Sequence, residues 1–386
     1  MTGMTLMNTY GTRSTTLVKG EGPYVWDSEG RRYLDGISGI AVCGLGYNYP
    51  AVTQAIVDQA QKLLHTSNLY NIPSQQELGA KLVALSGMDK AFFSNSGAEA
   101  NEAAIKIARK YGNDKGITQP HIITAQNSFH GRTLGTLSAS GNSKIQKGFY
   151  PLVEGFSHVP YNDLAAIEAA ATAHTVAVMV EPVQGEGGIR VPSADYLPKL
   201  RALCDAKGWL LILDEIQTGN GRTGTYFAYQ QYGVLPDVVT TAKGLGNGVP
   251  IGACLARGPA AEVFQAGNHG TTFGGNPLAC STALAVVNSL DSTLLKRVAY
   301  LGERIKGSLQ EALAGSPKVK EVRGLGLMIG IELTEDCGAL VDAGKQNGVL
   351  INVTAGNTVR LLPPFILTDE QADALVQAVV SLIQGF

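Results

Sequence analysis

Between residues 91 and 256 the chain alternates short apolar runs with stretches of helical spacing, and this alternation limits the fold more than any other feature. The runs span residues 91–93, 121–124, 176–181, 209–214, 237–241 and 252–256. Each is strand-sized, and none approaches the ~18 residues of a membrane-spanning helix. Strands alternating with helices predict an α/β fold: a mainly parallel sheet with right-handed crossovers and helices on both faces. A sheet of that kind takes its ligands beyond the C-terminal ends of its strands.

The flanks read differently. Residues 24–34 form two aromatic-rich runs around Gly30, a β-hairpin pattern. Ser74 to Glu77, Ser96 to Glu99 and Thr368 to Gln371 each have the spacing of a capping box that opens a helix. Beyond Gly275 a long Ala/Leu-rich helical stretch (277–314) leads to strands at 326–332, 348–352 and 359–362. The reading is a large domain over residues 51–275 and a smaller α+β domain over 276–386, to which the N-terminal segment 1–50 contributes. At 386 residues, 45 % of them hydrophobic, the chain is long enough for two or three domains' worth of core.

Charge and cysteine content narrow the function classes. Thirty Lys+Arg against thirty-two Asp+Glu leave a net charge of −2, so neither nucleic acid nor an anionic membrane surface is an expected partner. Residues 1–12 contain one Arg-free, Lys-free segment without an apolar centre, which argues against a secretory leader. Five scattered cysteines exclude a disulfide framework, and no His/Cys spacing suits a metal. A cytoplasmic protein without a metal is expected.

Forty-seven glycines, many at strand and helix ends, suggest loops that approach a ligand closely. The run 176–181 ends at Glu181 and leads through Gly185 to Glu186. The run 209–214 ends in Asp214-Glu215-Ile216-Gln217, and 237–241 is followed by Ala242-Lys243-Gly244. Ser96-Gly97-Ala98 opens a helix, whose first N–H groups and dipole attract an anion. An acid, a lysine and an anion cradle at one sheet edge are the parts needed to hold pyridoxal phosphate. Each part also has an ordinary reading, since strand-end carboxylates cap helices and lone lysines are usually surface charges. The glycines after Lys243 are no P-loop, because there the lysine follows its glycines. His130 lacks a neighbouring serine–acid arrangement in the sequence and is not read as a general base.

Several ordered segments resemble the class III pyridoxal-phosphate aminotransferases. They are Ser94-Asn95-Ser96-Gly97-Ala98-Glu99-Ala100-Asn101-Glu102, Phe129-His130-Gly131-Arg132-Thr133, Glu181-Pro182-Val183-Gln184-Gly185-Glu186-Gly187, Leu213-Asp214-Glu215-Ile216-Gln217-Thr218-Gly219 and Gly270-Thr271-Thr272-Phe273-Gly274-Gly275-Asn276-Pro277. They cover nearly the whole chain in the same order. Residues 39–42, and 65–70 followed by Gln75 and Leu78, are most similar to members acting on N-acetylated ornithine.

The resemblance implies a fold-type I transferase with pyridoxal 5'-phosphate joined to Lys243. Asp214 would face the ring nitrogen, Gln217 the phenolic oxygen and Phe129 the ring face. Ser96, Gly97 and Ala98 would hold the phosphate, with Glu215 and Ile216 beside the cofactor. Thr272 would reach the phosphate from a neighbouring copy, which makes a homodimer part of the expectation. Arg132 would hold the α-carboxylate of N2-acetylornithine, and Thr271 would touch that substrate from the other subunit. Arg360 would bind the α-carboxylate of glutamate or 2-oxoglutarate, alternating with Glu186. The implied reaction moves the δ-amino group of N2-acetyl-L-ornithine to 2-oxoglutarate, a step of arginine biosynthesis. Ornithine, succinylornithine and 4-aminobutyrate stay open as alternative donors, although the apolar Ile40 favours an acylated amine.

Overall fold

The computed structural model describes residues 5–11 and 13–386. The reading of residues 1–12 as free of a leader therefore falls partly outside the described residues.

In chain order the strands begin with β1 (Leu17–Glu21), β2 (Tyr24–Asp27) and β3 (Arg32–Asp35). Then come β4 (Lys90–Ser94), β5 (His121–Ala125), β6 (Phe156–Val159), β7 (Thr175–Val180), β8 (Leu210–Asp214), β9 (Val238–Thr241) and β10 (Gly252–Ala256). The last third adds β11 (Val319–Leu325), β12 (Met328–Leu333), β13 (Val349–Leu350), β14 (Asn352–Thr354) and β15 (Thr358–Leu361).

The central sheet runs β4-β10-β9-β8-β7-β5-β6. Strands β9, β8, β7, β5 and β6 pair in parallel. The exception is β10, antiparallel to both β4 and β9. Only residues 242–251 separate β9 from β10, too short a connection for the crossover that a parallel neighbour demands. All six expected runs are strands of this sheet, while β6 was not foreseen from its mixed Phe-Ser-His-Val composition.

Buried strands of this kind alternate their side chains between two cores. Val178, Val180, Leu211, Leu213 and Val239 join one apolar cluster, together with Leu197 and Leu200 of the helix Tyr196–Lys207. Val176, Met179, Leu210, Ile212 and Val238 join the other, against Ala104, Ile107 and Ala108 of the helix Gly97–Asp114. Each fully buried aliphatic side chain contributes roughly 1.5–3 kcal/mol of transfer free energy. That double cover makes the sheet a rigid platform whose C-terminal edge stays fixed.

Helix starts depart from expectation in two of three cases. Thr368 and Gln371 form the full capping box of the helix Asp369–Gly385. At Ser96 the hydroxyl accepts from Glu99 N at 3.3 Å, but the Glu99 carboxylate turns to Asn95 N at 2.8 Å rather than to the cap itself. Ser74 caps nothing. The helix there already begins at Pro73, whose fixed φ suits a first helical position.

The expected helix over 277–314 is two helices, Pro277–Ser289 and Ser292–Ala312, bent by 72°. Asp291 causes the break by accepting a hydrogen bond from Leu294 N at 2.8 Å, which caps the second helix. The strand expected at 326–332 starts later, because Gly326 sits at φ +55° in a turn between β11 and β12. The charged, half-exposed β11 was not recognised in the sequence. The run 348–352 divides into β13 and β14, which join different sheets. β13 pairs in parallel with β3, tying the N-terminal hairpin to the last third of the chain. β14 pairs with β15, whose partner β12 carries the sheet on to β11. No single helix among the described residues is long and apolar enough to cross a membrane.

Candidate active site

A cavity of about 430 Å³ opens at the C-terminal edge of the central sheet, where β7, β8 and β9 end and the helix Gly97–Asp114 begins. Ten of the sequence-predicted residues line it: Ser96, Gly97, Ala98, Phe129, Arg132, Glu186, Asp214, Ile216, Gln217 and Lys243. They come from five separate segments, so the sheet edge alone brings them together.

Lys243 follows β9 directly and takes φ +45°, a left-handed conformation that is uncommon for a side-chain-bearing residue. Strain of this kind persists where the surrounding fold over-determines the backbone. Asn220 supplies part of that hold, donating to Thr241 Oγ1 at 2.8 Å and to Ala242 O at 3.0 Å. Burial pushes the Lys243 ammonium down to about 8 even though the Glu186 charge opposes this. Among the described residues its amine has no hydrogen-bond partner. A buried amine of lowered pKa has the properties that a nucleophilic lysine needs.

Asp214 ends β8 and is buried. Its Oδ2 accepts from Asn101 Nδ2 at 2.8 Å and from His130 Nδ1 at 2.7 Å, and its Oδ1 accepts from Ile216 N at 3.1 Å. Burial disfavours the His130 imidazolium, but the hydrogen bond to Asp214 and the Asp214 and Glu181 charges outweigh it, and the imidazole pKa is raised. His130 Nε2 is buried without a partner among the described residues. Glu181, just past β7, accepts from Phe129 N at 3.3 Å and Gly185 N at 3.1 Å, and burial pushes its carboxyl up to about 7.

Gly97 opens its helix under Ile216. A Cβ on Gly97 would lie 2.7 Å from Ile216 Cδ1, so glycine is what leaves room above the helix start. The N–H groups of Gly97 and Ala98 point out of that start without an acceptor among the described residues, an anion cradle. Phe129 lies at the cavity wall with the Arg132 guanidinium 5.5 Å from its ring centre.

Arg360, on β15, is almost fully buried. Its Nη1 donates to Glu186 Oε1 at 2.5 Å and to Gln217 Oε1 at 3.4 Å, and its Nε donates to Asn352 Oδ1 at 2.7 Å. The pair stands at the cavity wall, with Glu186 facing inward. Burial would raise the Glu186 carboxyl, but Arg360 and then Lys243 more than compensate and hold it below the usual range.

Four expected residues do not themselves line the cavity. Glu215 turns away into the core, where it accepts from Thr218 Oγ1 at 2.5 Å and Tyr229 N at 2.9 Å, and burial pushes it up to about 7. It packs behind the site rather than facing it. Arg360 reaches the cavity only through Glu186 and Gln217. Thr271 is tied locally, its Oγ1 accepting from Gly274 N at 3.1 Å and Asn95 Nδ2 at 3.3 Å. Thr272 is exposed. Sequence reasoning did not assign Asn101, Glu181 or His130 to the site. The available signal was a polar Asn101 on the apolar face of a helix, four residues after Gly97. Val42, the last residue of the segment 39–42 that carries part of the resemblance, also lines the cavity, although no role was assigned to it.

The residues fit pyridoxal phosphate: an unpartnered lysine, a buried carboxylate with donors on one side, and an open helix start lie around one cavity. The family model for aminotransferase class-III matches residues 7–383. An acetylornithine aminotransferase from Nitrosomonas europaea is 51 % identical over 384 residues, 99 % of this chain and 98 % of the relative. An N-acetylornithine aminotransferase structure from Stenotrophomonas maltophilia superposes with TM-score 0.86 at 37 % identity, covering 98 % of each chain. An ornithine aminotransferase structure from Toxoplasma gondii, described with partial occupancy of PLP at its active site, gives TM-score 0.94 at 34 % identity over 97 % of this chain and 92 % of that one.

Proposed function

The chain belongs to the class-III aminotransferases, and from this premise we propose how its own residues carry out the transfer. The enzyme moves the δ-amino group of N2-acetyl-L-ornithine to 2-oxoglutarate, giving N-acetyl-L-glutamate 5-semialdehyde and L-glutamate. Bound pyridoxal phosphate supplies an aldehyde that takes up the amino group and a ring that accepts electrons from the adjacent C–H bond.

Lys243 would hold the cofactor through Nζ, and the same amine would be the group placed to move a proton at the carbon bearing the substrate amine. A neutral amine is required, and burial in the cavity supplies it at a pH near 8. Asp214 would meet the ring nitrogen, with Asn101 and His130 holding its Oδ2. The Gly97 and Ala98 N–H groups would take the phosphate. Phe129 would pack on the ring and Gln217 would meet its phenolic oxygen, while Ser96 and Ile216 wall the same space. Glu215 shapes this loop from behind.

The observation that carries the two-substrate reading is the Glu186–Arg360 pair at the cavity wall. With Glu186 in place, Arg360 is neutralised, and the ω-amino substrate is held by Arg132 at the mouth instead. When Glu186 swings aside, Arg360 presents its planar fork to the α-carboxylate of glutamate.

A homodimer belongs to the same proposal. Thr271 and Thr272 do not line this chain's cavity, and the exposed apolar side chains Leu69, Tyr70 and Phe273 belong to the same segments. Asn68 ties the two loops through Thr271 O and Gly274 O. This patch fits a second copy, whose cavity Thr271 and Thr272 would complete. The division into residues 1–50, 51–275 and 276–386 is likewise proposed. The β3–β13 pairing supports joining the first segment to the last. Pro277–Ser289 packs on the helices Pro50–Ala60 and Pro73–Ser86, so the third segment opens with a contact to the second. The cytoplasm is the proposed location, supported by five unpaired thiols.

The deciding experiment follows the visible absorbance of cofactor-loaded protein as single donors are added without 2-oxoglutarate. Bleaching by N-acetylornithine at lower concentration than by ornithine, succinylornithine or 4-aminobutyrate is expected. Faster bleaching by another donor would move the substrate assignment to that donor.

A further inference from the structure

Asn101 is completely buried on the helix Gly97–Asp114, one turn beyond the anion cradle at its start. Its carboxamide spends both donors and its oxygen on three other segments of the site. Nδ2 donates to Asp214 Oδ2 at 2.8 Å and to His130 O at 2.8 Å, and Oδ1 accepts from Thr240 Oγ1 at 2.7 Å. Asp214 ends β8, His130 adjoins Phe129, and Thr240 lies on β9 three residues before Lys243 and directly opposite Asp214 in the sheet. One side chain therefore connects the phosphate cradle with the ring-nitrogen carboxylate, the ring-face loop and the lysine strand.

The orientation of this amide is unambiguous. Two acceptors, a carboxylate and a carbonyl, lie on its nitrogen side, and a hydroxyl lies on its oxygen side. Rotating it by half a turn would set Oδ1 against the Asp214 carboxylate, which burial makes costly. No solvent reaches the group to repair a lost bond.

We propose that Asn101 is a positioning residue for the cofactor: it sets the distance between the helix start that takes the phosphate and the Asp214 carboxylate that takes the ring nitrogen. The proposal rests on the reading of Asp214 as that anchor. A cofactor held at its phosphate and its ring nitrogen binds well only when both anchors stand at the right separation, so the free-state geometry is part of the affinity. Thr240 acts through Asn101 by fixing which way the amide faces. His130 Nδ1 shares the same Asp214 oxygen, and Glu181, Lys243, Glu215 next to Asp214 and, beyond His130, His158 are further titratable groups whose charges bear on the cluster.

The test compares Asn101→Asp, Thr240→Val and Asp214→Asn with the unchanged enzyme. Three quantities are read: the cofactor dissociation constant of cofactor-free protein, the pH midpoint of the visible absorbance after loading, and the melting temperature before loading. Asn101→Asp keeps the shape but sets a carboxylate against Asp214, and a loss of affinity of roughly tenfold or more with a shifted absorbance midpoint is expected. Thr240→Val frees the amide to rotate and moves both quantities the same way by a smaller factor; it also serves if Asn101→Asp does not fold. Asp214→Asn should shift both most. If Asp214→Asn shifts them and the other two variants leave both unchanged, the Asn101 proposal is overturned. A fall in melting temperature alone also overturns it, since that marks a purely structural role. If Asp214→Asn changes neither quantity, the anchor reading itself fails and the Asn101 proposal with it.

Discussion

Arg360 Nη1 and Glu186 Oε1 stand 2.5 Å apart, one almost wholly buried on β15 and the other a third exposed in the loop after β7. The asymmetry distinguishes the two partners. Arg360 is fixed from a second side by Asn352 and touches Gln217, while among the described residues the Glu186 side chain is held only by this pair and Gln217. In the proposed alternation the carboxylate is therefore the arm that swings and the guanidinium the one that stays.

Replacing Glu186 by alanine should leave Arg360 permanently available to an α-carboxylate. The glutamate half-reaction is expected to gain on the N-acetylornithine half-reaction by about tenfold, with a stability loss of ~1–3 kcal/mol from the unpaired guanidinium. Single-turnover absorbance changes with each donor measure the ratio. Unchanged relative rates would remove the alternation from the mechanism.

Lys243 should show its depressed pKa directly in the cofactor-free protein. With a midpoint near 8 instead of 10.5, about one amine in ten is neutral at pH 7, against fewer than one in a thousand for an ordinary lysine. Covalent capture of cofactor should therefore rise with pH and level off above ~8. Because the folded pKa lies below the unfolded one, the unfolded chain binds more protons between about 8 and 10.5, and this group makes the cofactor-free fold gain stability as pH rises through that window. A capture profile still climbing at pH 10 would contradict the burial argument. Lys243→Ala should abolish turnover altogether.

Gly97→Val tests the cradle. Its Cβ would start 2.7 Å from Ile216 Cδ1 and 2.9 Å from Ile216 Cγ2, so one side must give and the space over the helix start closes. Cofactor affinity is expected to fall by about tenfold or more, while the melting temperature before loading drops only a few degrees, consistent with ~1–2 kcal/mol of local crowding. Equal affinity in a calorimetric titration would place the phosphate elsewhere.

The shared-site dimer can be probed by complementation. Lys243→Ala and Thr272→Ala subunits are each expected to be impaired alone. In a mixed dimer one site combines an intact Lys243 with an intact Thr272 from the other subunit, so refolding the two together should restore activity well above either parent. No gain on mixing, with dimers demonstrated by sedimentation, would confine each site to one chain.

Much of this molecule was legible in one dimension because its chemistry sits at strand ends. Asp214 and Lys243 are read from the sequence as the first polar residues after apolar runs, and a parallel sheet delivers such residues to one edge. Gly97 and Ala98 are read as a helix start. What stayed hidden were interactions between residues far apart in the chain. β10 and β11 illustrate the local side of this: one has the composition of a parallel strand yet runs antiparallel, and the other carries charges on a half-exposed face.

The sequence by itself determined the strand–helix alternation, the place of Lys243 just past a strand and the helix start at Ser96-Gly97-Ala98, since each depends on residue type and near spacing; the pairing of Glu186 with Arg360, 174 residues apart, was implied only by the family resemblance. Only the tertiary structure decided that Glu215 faces the core while its neighbours Asp214 and Ile216 face the cavity, and that Asn101 joins four segments at once. Side-chain direction in a loop is set by the packing around it, and a buried amide is worth its cost only when distant partners arrive to satisfy it. Those partners are brought together by the sheet, whose register no local pattern specifies.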